Sequence, residues 1–599
     1  MSIVSITLTG IFFLQSTAQT SSAIPPAPPA GTAAIQQATA AFKAGSTAFA
    51  KGDLIAARHA FERAVRLAPG VSAAHVALGS VLLAIGDNVT AIKELQLALR
   101  LAPEDPNALL SLALAFSATH QDQQAVATLR HLNQLNPPAD TLAPKDVALP
   151  LATSLAATGD LSGAGALLNQ SIATAPADAV LTDALGTVQA LQRNFAGADE
   201  TFRRAISLDG SLASAYFHLG SLELDTGQLP RSVTSLERAC ALQPGSIPFT
   251  LQLARALVET HRETDAITLL RKALDATSPI SPDAIDLRYR LALAFQAAED
   301  LPHALPLFSE VLKSRPDDPE GLTNAGLAHV QTGDAAGSIA LYLRAMKLTP
   351  FNPTLHEDLG VAYLQQSNLD QALSEFRAGL ALDPDSPQLH YDLALALKLK
   401  DDLTAAIPEF QRAAALDPSL PDPPFTLGIL FMQQSRFAEA ATSFEKTLAL
   451  NPSNSDAWAT LGSIYRQMNQ PEKAVPALER AIALAPEQPS PHITLAILAA
   501  QGQKDDAAHQ RKIAADLTRV AVNRQKASFS LDSGSLLLKR GQVVDAIVQF
   551  ENAIIADPNS APAHTALATA LDQAGRKADA AEERRKALAL SPPSLPAAP

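Results

Sequence analysis

The 599-residue chain has one cysteine, Cys240. An intrachain disulfide and a multi-cysteine zinc site are therefore excluded, and the thiol reads as a small buried hydrophobe. Aromatic residues make up only 5% of the chain, with a single tryptophan, although 47% of residues are apolar. That balance is the profile of a helical array with small residues at its close contacts. Positive charge is in deficit: 46 Lys and Arg stand against 60 Asp and Glu, a net charge of −14. Binding to nucleic acid would need a basic face for the phosphates, so no nucleic-acid partner is expected. Long apolar runs are missing too. No segment supplies the ~20 apolar residues of a membrane-crossing helix, and no transmembrane span is expected. The motifs H-E-x-x-H, G-x-S-x-G, G-x-G-x-x-G and the P-loop are all absent. No catalytic, cofactor-binding or metal-binding residue is assigned, no cofactor is expected, and the chain reads as a non-enzyme.

Proline, by contrast, is plentiful at 42 residues. That is too many for long helices and well suited to the ends of many short ones. Its spacing is regular. In the stretch DAWATLGSIYRQMNQPEKAVPALERAIALAP, Asp456 to Pro486, a 34-slot frame starting at Ser455 puts Trp458 at slot 4, Leu461 at 7, Gly462 at 8 and Tyr465 at 11. Ala474 falls at slot 20, Leu478 at 24, Ala481 at 27 and Pro486 at 32. Sixteen such frames start at 38, 72, 106, 145, 179, 213, 247, 285, 319, 353, 387, 421, 455, 489, 527 and 561. Slot 8 is Gly or Ala in all sixteen, slot 20 is Ala in fourteen and Ser in two (Ser232, Ser338), and slot 32 is Pro in thirteen.

Sterics accounts for these slots. Slots 4, 7, 8 and 11 recur at helical spacing and share one face of a first helix. Slots 20, 24 and 27 do the same on a second helix. Small residues at 8 and 20 let the two backbones approach, where a larger side chain would overpack at a cost of ~1–3 kcal/mol. Asp or Asn at slot 16 caps the second helix at Asp53, Asp87, Asp160, Asn194, Asp300, Asp334, Asn368 and Asp402. Proline at slot 32 ends that helix. Two frames carry extra loops, near 138–144 and 278–283. The fourteenth lacks its terminal proline and has Lys512 at slot 24. Its second helix is expected to run long, toward Gln525, as a joint before a two-repeat piece, 527–595.

The pattern W-x2-L-G-x2-Y…A-x3-F…P resembles the tetratricopeptide repeat, with Trp458, Leu461, Gly462, Tyr465, Ala474, Leu478 and Pro486 in place. Leu478 replaces the aromatic, which Phe61, Phe202, Phe308, Phe376, Phe410, Phe444 and Phe550 keep elsewhere. The resemblance implies an all-α fold, an α-solenoid in which stacked helix–turn–helix units form a right-handed superhelix with the first helices on the concave side. Repeats 1–14 would span 38–526 and repeats 15 and 16 would span 527–595, leaving 596–599 as a disordered tail. Such a scaffold implies protein or peptide partners held along the concave face.

Slots 2, 5, 9, 12 and 13 form a second stripe on each first helix, away from the packing seam. In frames eight to thirteen it carries Tyr289, Leu293, Leu327, Val361, Tyr391, Leu395, Phe425 and Ile429. Slot 13 adds a column of amides, Gln331, Gln365, Gln433 and Gln467. An apolar floor beside amides suits an extended peptide. Flanking acids, Asp358 and Asp392 among them, favour a ligand with Lys or Arg. Packing between neighbouring first helices is the competing reading of the same residues. Slot 6 lacks both the Lys–Asn–Arg set of a carboxylate clamp and a repeated asparagine ladder. Five histidines at slot 4 (His75, His356, His390, His492, His564) read as packing residues with a polar edge.

The first residues stand apart. Ile3 to Leu14 is apolar and uncharged, and small residues up to Ala18 resemble a signal-peptide cleavage site, although no Lys or Arg precedes Lys43. The expectation is a signal peptide over 1–18, a Pro/Ala/Ser-rich linker over 19–37, and export to the periplasm, cell envelope or exterior. An uncleaved leader, a misplaced start or a cytoplasmic protein are the alternatives. Besides the peptide-binding scaffold, a self-assembly module is the second functional reading and an unrecognised enzyme a remote third.

Overall fold

The computed structural model of the protein describes residues 32–139, 141–502 and 504–590. The expected signal peptide, most of the linker and the C-terminal tail lie outside them. The last part of the expected linker is helical, because helix α1 spans Thr32–Ala50. The described residues fold into 31 α-helices and contain no strand. The sixteen frames would give one more, and a single fusion accounts for the difference. Contacts group the helices into two compact units divided between Ala328 and His329.

The first unit comprises α1 to α16 and the larger part of α17 (Pro319–Gln331). Odd-numbered helices are first helices and even-numbered ones are second helices. Thus α3 (Ser72–Ile85) pairs with α4 (Asn88–Leu101), and α9 (Ala179–Leu191) with α10 (Phe195–Leu208). Each hairpin also packs on the next, and successive first helices touch, as α3 does α5 (Pro106–Ala118) and α9 does α11 (Ala213–Asp225). The two extra loops separate α6 (Asp122–Leu135) from α7 (Pro144–Ala157), and α14 (Glu263–Asp275) from α15 (Pro282–Ala297). The first buries Leu142 against the core. In the second, Pro279 accepts a hydrogen bond from Arg288 at 3.0 Å.

The second unit repeats the plan over α18 to α27; after the long α28 the parity reverses, so that α29 (Val543–Ala556) is a second helix and α30 (Ala561–Gln573) a first helix. Its relevant first helices are α19 (Pro353–Gln365), α21 (Pro387–Leu399), α23 (Asp422–Gln433), α25 (Ser455–Gln467) and α27 (Pro489–Gly502). Their partners are α20 (Leu369–Leu382), α22 (Leu403–Leu416), α24 (Phe437–Leu450) and α26 (Pro471–Leu484), with α28 (Lys504–Lys539) following α27.

The steric rule for slot 8 is met directly. A Cβ placed on Gly79 would lie 2.5 Å from Leu95 Cγ, and one on Gly428 would lie 2.7 Å from Phe444 Cε2. The facing slot-20 alanines, such as Ala91, Ala198, Ala372 and Ala474, are fully buried. Seven of the eight expected caps accept a backbone N–H from three residues on, for example Asp160 from Gly163 at 2.8 Å. Asp300 instead holds His303 Nδ1 at 2.8 Å.

One slot escaped the sequence reading. Slot 15, in the turn between the helices, has a positive φ in every frame where it is described. Seven of these residues are glycines, and the others include His120, Arg193, Glu299 and Asp401. The left-handed conformation costs a side-chain-bearing residue roughly 1–2 kcal/mol. Because the turn tolerates that cost, the position shows no single residue type.

The fourteenth frame departs furthest. Its second helix does not stop near Gln525 but continues as α28 to Lys539, absorbing the first helix of the fifteenth frame. Slot 32 there is Val520, and Ala515 to Ala527 holds no proline or glycine to break the run. The register of buried residues also slips: Ala507 is buried and Ala508, at slot 20, is exposed.

Candidate functional site

The stripe of slots 2, 5, 9, 12 and 13 is found on first helices in both units. Tyr289 and Leu293 on α15, and Leu327 on α17, belong to the first unit; the remaining candidates belong to the second. Tyr289, Leu293, Val361, Tyr391, Leu395, Phe425 and Ile429 are half-buried, while Leu327 is exposed. The slot-5 aromatics are anchored from beneath. Tyr289 meets Phe308 edge-on at 6.3 Å, Tyr391 meets Phe410 at 5.6 Å, and Phe425 meets Phe444 at 5.6 Å. Each partner is the slot-24 ring of the same hairpin. The competing packing reading therefore holds for one side of these rings, and only the other side is available to a ligand.

The amide column is exposed at Gln331, Gln365, Gln433 and Gln467. Gln365 spends one amide hydrogen on the preceding repeat, donating from Nε2 to the Val330 carbonyl at 3.1 Å. Asn324, at slot 6, is likewise committed: its Nδ2 donates to the Tyr289 hydroxyl at 2.7 Å and to the Glu320 carbonyl at 3.1 Å. Burial pushes the Tyr289 hydroxyl's pKa upward, with Glu320 adding to the effect.

The acids differ most from expectation. The sequence places Asp358 and Asp392 as flanks of the groove and gives no sign of their burial. Asp392 is only 7% exposed on α21, and Asp358 is half-buried on α19. Both sit at slot 6, one position around the helix from the stripe, and so point between neighbouring first helices. Gln388 Nε2 donates to both Asp392 oxygens at 3.2 Å. Glu357 joins them from slot 5. Burial pushes Asp392 and Asp358 each up to about 6. Glu357 is pushed up to about 7, first by burial and then by the charges of Asp392 and Asp358. No Lys or Arg contributes to any of the three. Behind Asp358 lies Tyr342 on α18 (Ala335–Leu348), fully buried, with its hydroxyl lacking a hydrogen-bond partner. Burial and then the Asp358 charge push its pKa upward. The sequence points to Asp358 and Asp392 but not to their burial or grouping, because slot 6 varies from frame to frame and only the stacking of α19 on α21 brings two frames together.

Slot 4 carries a second device that was only partly anticipated. His390 Nδ1 pairs with Glu409 at 2.5 Å, while Nε2 donates to the Pro384 carbonyl at 3.1 Å. His75 does the same with Glu94 (2.7 Å) and Pro69 (3.0 Å), and His564 with Glu583 (2.5 Å) and Pro558 (3.1 Å). His356 pairs with Glu375 at 2.7 Å. Trp458 donates from Nε1 to the Pro452 carbonyl at 3.0 Å. The polar edge of slot 4 thus ties a hairpin to the last residues of the repeat before it. The signal was present in sequence as Glu nineteen residues after each of these four histidines.

Two further acids are tied up internally. Asp183 accepts from Ser214 Oγ at 2.7 Å and lies 2.9 Å from His218 Nδ1. Glu223 accepts from Arg203 at 2.9 Å and Ser235 at 2.7 Å. Cys240 is half-buried rather than buried, and burial, followed by Glu237, pushes its thiol up to about 11. Among the described residues no helix is long and apolar enough to cross a membrane, and no group of three or more His, Cys, Asp or Glu could hold a metal ion.

The tetratricopeptide repeat family model matches residues 42–130, 184–247, 289–353, 357–421, 425–489 and 531–594. These segments cover more than half of the chain, and the chain belongs to that family. No curated protein matches it. Among solved structures it is similar to the crystal structure of MamA, at 26% identity over 27% of this chain and 95% of that one, TM-score 0.26. It is similar to the anaphase-promoting-complex hetero-tetramer Cut9–Hcn1 at 17% identity over 87% and 94%, TM-score 0.38. It is similar to YrrB, a TPR protein with an unusual peptide-binding site, at 22% identity over 32% and 97%, TM-score 0.28. At those scores the family assignment rests on the repeats themselves. Repeats of this kind serve in general as non-catalytic scaffolds for protein interaction.

Proposed function

We propose that the protein is a non-enzymatic scaffold that binds extended peptide segments bearing Lys or Arg along the first-helix stripe of its second unit. The observation that carries this reading is the group of Glu357, Asp358 and Asp392, with Asp392 and Asp358 both acting on Glu357 and, among the described residues, no Lys or Arg paired with any of the three. A guanidinium or ammonium placed there supplies the missing counter-charge and hydrogen-bond donors. Val361, Leu395 and Ile429 offer half-buried apolar surface on either side, and the exposed Gln433 and Gln467 amides can bond a ligand main chain. With a net charge of −14, nucleic acid is not a partner in this reading.

Fluorescence anisotropy with short labelled peptides tests the proposal. A peptide carrying Arg should bind the full chain, its Glu counterpart should not, and Asp358→Asn with Asp392→Asn should weaken binding at least about tenfold. Equal affinity for both peptides, or no effect of the double variant, would count against it. Self-assembly is the second reading, supported by exposed Val544, Val548 and Ile555 on α29 (Val543–Ala556). Light scattering that finds only monomers removes it. Export is part of the same proposal and rests on residues 3–18 of the sequence. Native protein beginning at Gln19 would support it, and native protein beginning at Met1 would not.

A further inference from the structure

The fused helix α28 leaves a place in the second unit where a helix is missing. Elsewhere, the first helix of each following repeat lies against the hairpin before it. Here that helix is the continuation of α28 itself, so it leads away from the hairpin instead of folding back. Among the described residues α27 packs against α25, α26 and α28, and no later helix closes on it. Between Ala514 and Ala527 no residue of α28 is buried, a bare span of about 18 Å at 1.5 Å per residue. At ~5.4 Å per turn, the span is long enough for about three turns of a helix lying along it.

The result is a groove of about 700 Å³ between α27 and α28. Its floor includes Ile493, Ile497 and Val522, exposed by 45%, 42% and 43%. Its α28 wall is basic: Arg511, Arg519 and Lys526 all line it, on the same helix face as Val522. Positions eight and fifteen residues apart fall within about 80° of one another on a helix, so the three form one stripe. Among the described residues Arg519 pairs with Asp516 at 3.0 Å, and Arg511 and Lys526 make no ion pair. This is positive charge on a chain that is acidic overall.

We infer that this groove is a docking site for an amphipathic helix of a partner protein, with apolar residues facing Ile493, Ile497 and Val522 and acidic residues facing Arg511 and Lys526. The vacant position is helical because the repeat would place a helix there, and its occupant is acidic because the groove is edged by cations. Within this chain the terminal helices do not fit, since α1 has no acidic residue and α31 (Lys577–Leu590) mixes both charges. The exposed face of α29, with Val544, Val548 and Ile555 beside Asp545 and Glu551, has the right chemistry but is part of a folded hairpin, and the dimer outcome below tests it. The site is distinct from the first-helix acids at Asp358 and Asp392 and takes a ligand of opposite sign.

A designed, hydrocarbon-stapled helix with one leucine face and one glutamate edge is the probe, titrated by anisotropy into the full chain. It should bind, and its lysine-edged twin should bind at least about tenfold more weakly. Arg511→Glu with Lys526→Glu should reverse that preference, and Ile497→Asp should abolish binding of both. All three positions are exposed, so circular dichroism should be unchanged. Asp392→Asn should have no effect on this probe, which separates the site from the one above. Failure of the acidic helix to bind, or equal binding of both helices, overturns the inference. So does a concentration-dependent dimer that Ile497→Asp dissolves, because the groove would then belong to a second copy.

Discussion

Most of the structural constraint rests on single small residues and a few polar ones. Gly428 lies where any Cβ would press on Phe444. Ala394 fills the same slot above Phe410, so alanine can be accommodated, but no frame has anything larger there. Gly428→Val should cost at least ~1–3 kcal/mol, read as faster hydrogen exchange confined to α23, α24 and their neighbours. Tyr342 occupies the slot where seven other repeats place phenylalanine, and its hydroxyl has no partner. Leaving a buried polar group unsatisfied costs about 1–3 kcal/mol. Tyr342→Phe should therefore stabilise the second unit, seen as a higher urea midpoint. Asp392 has the opposite problem, a carboxylate held up to about 6 against an ordinary value near ~4. A raised carboxyl contributes its stability at low pH and loses it as pH rises through about 6. Asp392→Asn should raise the melting temperature at pH 8 and leave it nearly unchanged at pH 4. A wild-type protein that melts higher than the variant at pH 8 would show that the carboxylate is paired after all.

At the scale of helices, the joints between hairpins matter as much as the hairpins. His390 bonds both Glu409 in its own repeat and the Pro384 carbonyl of the repeat before. His390→Leu should lower the stability of the α20–α21 joint by about 1–3 kcal/mol. His390→Trp should recover part of that loss, since Trp458 makes the same bond to Pro452. Equal exchange rates in all three proteins would reduce slot 4 to simple packing. The sequence made the hairpins legible because slots 8, 20 and 32 repeat residue by residue, and each has one steric cause. The joints were less legible, because the bond across each runs from a slot-4 side chain such as His390 to a backbone carbonyl, that of Pro384, and slot 4 varies from frame to frame. The run of α28 through Val520 was half legible: the missing proline announced a long helix, but not that the next one would be absorbed. The candidate site was legible as a stripe of residue types. The burial of Asp358 and Asp392 was not, since it is set by how neighbouring first helices stack.

Across the molecule, each unit has no single shared centre. Each hairpin is held by its neighbours, as the separate clusters around Phe61, Phe202 and Phe550 illustrate. A chain of this kind can present one chemical feature at one place without disturbing distant repeats. The carboxylates of Glu357, Asp358 and Asp392 are such a feature, each held above the ordinary carboxylate range by burial. A bound cation lowers their pKa values and must expel protons on binding. Titration calorimetry of an Arg-containing peptide at pH 6.5, in two buffers of different ionisation enthalpy, measures that release. The expected result is net proton release, with affinity rising from pH 5 to pH 7.5 and both effects lost in Asp358→Asn with Asp392→Asn. Binding without proton exchange, or equally tight at pH 5, would contradict it.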